Sequence, residues 1–363
     1  MRRGLRVLLL CCLSVLICTS PAAATDLESY IDPQAVEDAL PGEARELLSD
    51  TALDTDLDFA AAISRLWQRA VDAAKADLRG ALGGTARILA AALFCAVAAA
   101  CSTRMQPMVR VAGTLAVVAL TMGDLHTLLG LGSTMMTDLA AFGKVLMPVL
   151  AAASVASGSL TASGTVYLAV MFVIDLLVSL FAELMIPLVW ADAALLTAGS
   201  ITENHGLTKL ARALKNGVTL SLKLILGVFT GYLMVAGVIS GTADALTVKT
   251  VRLAVSSMIP VAGGFLADAA EAVVAGAGIV RSVTGIFGIL GVLATAILPF
   301  LRLGMQYLAY RGAALLSVVA GADELEPILE GMGEVFSLML ALVGTASALL
   351  LIGIFAAAAG VRV

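Results

Sequence analysis

Charge and aromatic residues are scarce in this 363-residue chain, at 13% and 5%. A water-soluble domain carries about a quarter charged residues. With 60% hydrophobic residues and a mean hydropathy of +1.00, this chain cannot keep its surface in water. That excludes a soluble enzyme, a nucleic-acid-binding module and a disordered regulator. Cysteine is also sparse. Cys11, Cys12 and Cys18 sit at the extreme N-terminus, and only Cys95 and Cys101 follow, both in an apolar run. They form no disulfide framework and have no metal-ligand spacing. The two histidines, His126 and His205, read as loop or helix-end residues without a ligand set. No G-x-x-x-x-G-K-[ST], H-E-x-x-H or G-x-S-x-G run occurs, so P-loop, zinc-protease and α/β-hydrolase chemistry lack their motifs. The expectation is a non-enzyme without cofactor or metal.

What is present is apolar length. The reading is an all-α polytopic membrane protein. Arg2, Arg3 and Arg6, an apolar run from Val7 to Cys18, Pro21 and Ala22-Ala23-Ala24 have the layout of a secretory signal peptide cut after Ala24; an uncleaved signal anchor is the rival. Residues 25–80 hold 13 acidic and 5 basic residues, whereas 81–363 hold 14 of each. The acidity therefore belongs to a short exported segment, and it argues against nucleic acid as a partner. Within that segment, 25–55 is expected to carry little order. Phe59, Ile63, Leu66, Trp67, Ala70, Val71, Ala74 and Leu78 then mark an amphipathic helix. Its apolar stripe suits the outer leaflet or a partner helix. Gly80, Gly83 and Gly84 are expected to end it. Residues 81–363 form the membrane domain.

Apolar blocks predict spans near 86–102, 109–131, 138–157, 164–182, 184–200, 218–240, 283–301, 303–320 and 335–359, a bundle of seven to nine crossings by length. The pair 164–182 and 184–200 reads either as a hairpin or as one long helix kinked at Pro187, and 303–320 as a span or a re-entrant segment around Arg311. Lysine and arginine bias puts Arg104, Arg110, Lys209, Arg212, Lys215 and Arg302 inside, with Asp323, Glu324, Glu326 and Glu330 outside. Lys209, Arg212 and Lys215 form a basic face suited to cytosolic subunits or anionic lipid. In 241–282, Pro260, Gly263 and Gly264 break two apolar halves, as in a broken or re-entrant helix; an extramembrane hairpin is the rival. Lys144, Asp175, Asp192, Lys223, Asp244 and Arg311 are the candidate intramembrane charges, as paired structural groups or a substrate path. Glycines at 227 and 231, 237 and 241, and 285, 288 and 291 suggest close helix packing.

The run Gly206-Leu207-Thr208-Lys209-Leu210-Ala211-Arg212-Ala213-Leu214-Lys215-Asn216 resembles a segment of the stage III sporulation protein AE family. So do Ala243-Asp244-Ala245-Leu246, Lys249-Thr250, the run from Ala254 to Gly264, Gly285-Ile286-Phe287-Gly288 and Leu298-Pro299. The resemblance implies a multi-pass subunit in the mother-cell membrane around the forespore. It also implies a place in a secretion-like channel complex that joins the two cells and supports spore development. Its expected partners are the other stage III subunits, a separate ATPase among them, together with lipid; a second copy of the chain is a further candidate. An autonomous secondary transporter and a non-conducting membrane scaffold are the alternatives.

Overall fold

The computed structural model describes residues 39–48, 59–101, 106–156, 162–202, 205–235 and 283–359. Among them are eight α-helices and no strand: α1 (Gly42–Leu48), α2 (Phe59–Cys101), α3 (Gln106–Ala156), α4 (Ala162–Leu180), α5 (Ile186–Ile201), α6 (His205–Val235), α7 (Val283–Val319) and α8 (Glu326–Ala359). The expected signal peptide, Asp244, Pro260, Gly263 and Gly264 lie outside the described residues.

Blocks expected as separate elements run together. α2 joins the amphipathic stretch to the block at 86–102 and passes through Gly80, Gly83 and Gly84 unbroken. Interior glycine costs a helix about 1 kcal/mol relative to alanine, which tertiary packing over 43 residues outweighs. α3 joins 109–131 to 138–157 in one helix of 51 residues, about 75 Å long at the helical rise. α7 joins 283–301 to 303–320, with Pro299 inside it. Arg311 therefore lies in a continuous helix and not in a re-entrant loop. α4 and α5 form one rod, joined by a π-helical turn at Phe181–Met185 where the Ile186 N–H reaches back to the Phe181 carbonyl. Pro187 follows in the first turn of α5. Its ring crowds the carbonyl four residues back, and a widened turn makes room for it. Of the two readings of 164–200, the single long helix holds.

The segment expected to carry little order contains α1, whose Ala44, Leu47 and Leu48 are buried. The apolar stripe of α2 is also inside. Ala62, Leu66, Ala70 and Ala74 are buried, and α2 packs mainly on α7 and α3. The partner-helix reading of that stripe holds, and the partner is the chain itself.

Close contacts set the helix directions. Gly132 and Gly143 of α3 meet Met339 and Leu350 of α8, the same spacing on both, so α3 and α8 run parallel. Gly288 and Gly291 of α7 meet Leu146 and Phe142 of α3, so that pair is antiparallel. α7 and α8 form an antiparallel hairpin. Its turn is closed by hydrogen bonds from Gly321 N to Val318 O (3.0 Å) and from Ala322 N to Ser317 O (2.8 Å). Gly321 has φ +77° there, a conformation that glycine adopts without a side-chain clash. α5 and α6 form a second hairpin, with Gly199 against Thr208.

Among the described residues, four helical segments are long and apolar enough to cross a membrane: Val111–Leu146, Phe172–Ile201, Ile286–Val319 and Glu326–Phe355. Within an 18-residue apolar stretch of the last, 83% is buried, against 33% in such a stretch of each of the first two. α8 is thus the central helix, ringed by α3, α4, α5, α6 and α7. The outer helices turn large apolar side chains outward, including Phe94, Met108, Phe172, Leu224, Val228 and Leu315, as lipid-facing surfaces do.

Candidate functional site: a polar layer across the bundle

Gln306 and Tyr310 lie one helical turn apart on α7 and share a face. Both donate to one carboxylate oxygen on α3: Gln306 Nε2 to Asp124 Oδ2 at 3.0 Å, and the Tyr310 hydroxyl to the same atom at 3.1 Å. α2 closes this site. A β-carbon on Gly84 would stand 3.4 Å from Asp124 Oδ2 and 3.9 Å from Arg87 Nη2. The Tyr310 ring also packs on Phe336 of α8, with centroids 5.2 Å apart. The next residue of α7, Arg311, forms an ion pair with Glu330 of α8.

α5 and α6 bring a second group to α8. Lys215 Nζ of α6 pairs with Glu334 of α8 at 2.5 Å. Asp192 of α5 is level with both: counted from the contact of Gly199 with Thr208, antiparallel α5 and α6 set position 192 opposite 215, and counted from that of Leu196 with Gly331, position 192 falls within one residue of Glu334. Asp192 is 1% exposed, and neither carboxylate oxygen has a hydrogen-bond partner. Two residues before it, Trp190 meets His126 of α3 edge-on at 5.7 Å.

These groups occupy one level of the bundle. Met339 is level with Gly132, so Gly331 of α8 is level with Asp124 of α3. Gly331 also touches Leu196 of α5, and Gly333 lies against Tyr310 and Arg311 of α7. The result is a polar layer, flanked on one side by the apolar length of α8. Isolated charges in so apolar a setting cost several kcal/mol each, and pairing across helices is the usual remedy. Such a layer ties the register of one helix to that of the next.

The chain matches the family model described as "Stage III sporulation protein AE" over residues 47–360. It belongs to the stage III sporulation protein AE family. The stage III sporulation protein AE of Bacillus subtilis (strain 168) is 23% identical over 205 residues, 56% of this chain and 51% of that protein. The match thus spans about half the length of that curated relative. No solved structure matches.

The candidate charges of this AE-family chain divide. Asp192 and Arg311 belong to the polar layer. Lys215, read as part of a basic surface, is turned inward to Glu334, while Lys209 and Arg212 are exposed at the start of α6. Lys144 and Lys223 are exposed, Asp175 is half-buried, and among the described residues no ion pair joins Asp175 to either lysine. Arg302 is not in an inner loop. It lies within α7 and pairs with Glu43 of α1 at 3.3 Å. His126 sits mid-helix in α3 and not at a helix end. The layer residues that sequence reasoning missed are Asp124, Gln306, Tyr310, Glu330 and Glu334. Only the i, i+4 spacing of Gln306 and Tyr310 was legible as a shared face.

The two ends of the bundle also differ from expectation. Lys209 and Arg212 were placed inside and Asp323 and Glu330 outside, but the Lys215–Glu334 pair joins the first turns of α6 to the first turns of α8. Both sets of charges lie at one end. The reason is parity: one continuous α7 replaces two expected crossings and returns the α7–α8 turn to the opposite side.

Proposed function

We propose that this protein is a multi-pass subunit in the membrane core of a secretion-like channel complex. The complex would connect mother cell and forespore, with this subunit in the mother-cell membrane that surrounds the forespore. The observation carrying this reading is the family match over 47–360, which takes in α2 to α8. The four apolar helices and the outward apolar side chains support a membrane setting. The end bearing Lys209 and Arg212 faces the mother-cell cytosol, following the lysine and arginine bias, to which acidic residues contribute little. On this reading a cleaved signal peptide precedes the described helices. On the family resemblance, energy comes from a separate ATPase subunit, with which the lack of a P-loop motif in this chain agrees.

The test is deletion in the endospore-forming host, combined with affinity purification of a tagged, complementing copy from sporulating cells. Arrest after engulfment and recovery of the other stage III subunits with the tagged chain are expected. Normal spores from the deletion strain, or a chain that purifies alone under conditions that hold the other subunits together, would overturn the reading.

A further inference from the structure

The group formed by Asp192, Lys215 and Glu334 does not balance. It contains two carboxyl groups and one ammonium. The ammonium is engaged by Glu334, and Asp192 is fully buried with both oxygens unpartnered. Among the described residues, the charged groups level with Asp192 on its packed neighbours are Lys215 on α6 and Glu334 on α8. His126 on α3 stands against Trp190, two residues away. An ionised Asp192 would be a buried charge with no donor, the arrangement that proteins avoid most strongly.

We propose that Asp192 is a proton-binding site, and that its proton decides which carboxylate the Lys215 ammonium serves. With the proton bound, Asp192 is neutral and Lys215 stays on Glu334, as in this structure. When the proton leaves to water, the new carboxylate draws the Lys215 ammonium toward α5 and away from α8. The lysine side chain suits such an exchange, being a point charge on a flexible four-carbon stem. Lys215 and Glu334 are 29% and 30% exposed, so the ion pair is itself only partly enclosed and its ammonium has room to move. Proton binding therefore couples the α5–α6 hairpin to the central helix. The inference concerns the isolated protein and stands apart from the sporulation reading.

The experiment is infrared difference spectroscopy of the full-length protein in nanodiscs, following the carbonyl stretch of protonated carboxyl groups across a pH titration. In the wild type we expect one such band at neutral pH, downshifted in D₂O. Asp192→Asn should abolish it. Lys215→Met should keep it and extend it to higher pH, because the competing ammonium is gone. Glu334→Gln should lose the band at neutral pH, because Lys215 is then free to serve an ionised Asp192. A purely structural carboxyl would not respond to Glu334→Gln in this way. Absence of the band in the wild type, or a band indifferent to Asp192→Asn, would overturn proton binding. If Asp192→Asn does not fold, the Lys215→Met and Glu334→Gln responses decide the matter. A band unchanged in Glu334→Gln would overturn the exchange.

Discussion

Lys215 of α6 and Glu334 of α8 form an ion pair that holds the first turns of these two helices side by side. The pair puts the α5–α6 and α7–α8 turns at the same end of the bundle. Single cysteines at Lys209 and Asp323, in a background with Cys95 and Cys101 replaced by serine, should therefore react with an impermeant maleimide from the same side. That side should be the one exposed in inverted vesicles. Reaction from opposite sides would mean that α7 crosses twice or not at all.

Gly291 is where α3 and α7 approach most tightly. A β-carbon there would run into the Phe142 ring at Cζ and lie 3.1 Å from Leu40 Cδ2. Phe142 is fully buried, so its ring has little room to withdraw. Gly291→Ala should destabilise by about 1–3 kcal/mol, the usual cost of overpacking. Gly123→Ala, in open space on α3, should be neutral or gain up to about 1 kcal/mol from helix propensity. Thermal melts in detergent compare the two, and Phe142→Leu should recover part of the Gly291→Ala loss.

Asp124 accepts from two donors on α7, so removing one donor should cost less than removing the acceptor. Tyr310→Phe deletes one hydrogen bond and keeps the ring on Phe336. Its expected cost is about 1.5–3 kcal/mol, the range for bonds to charged groups. Asp124→Ala strands both the Gln306 amide and the Tyr310 hydroxyl and should cost more than Tyr310→Phe. Denaturant titration of the purified protein gives the order. A reversed order would mean that the Asp124 charge itself is destabilising.

Arg302 and Glu43 connect α7 to α1, but Glu43 is 58% exposed and the contact is long at 3.3 Å. A double-mutant cycle with Arg302→Ala and Glu43→Ala should give a coupling below about 1 kcal/mol. α1 is held instead by Leu40, Ala44 and Leu47, all buried. Leu47→Ala should destabilise by about 2–5 kcal/mol, and protease access to the α1 region should rise with it. Equal effects of Leu47→Ala and Glu43→Ala would contradict this division.

The amino-acid sequence determined the class of the protein. Its apolar excess dictates helices, because a chain in lipid must satisfy its backbone hydrogen bonds within each segment. The amphipathic stripe of α2 and the glycines at 288 and 291 were legible for the same reason: both follow from helical periodicity. The family was legible from the run beginning at Gly206. Where one helix ends and the next begins was not. Gly80, Gly83, Gly84 and Pro187 look like breaks, but packing against neighbouring helices carries the chain through all four, at Pro187 by way of a π-helical turn. Tertiary structure alone decided which charges meet. Asp124 of α3 meets Gln306 and Tyr310 of α7, and Glu334 of α8 meets Lys215 of α6, across long stretches of chain; their meeting depends on register between helices, which no local pattern encodes. Once α7 proved continuous, that register also decided which charged ends share a side.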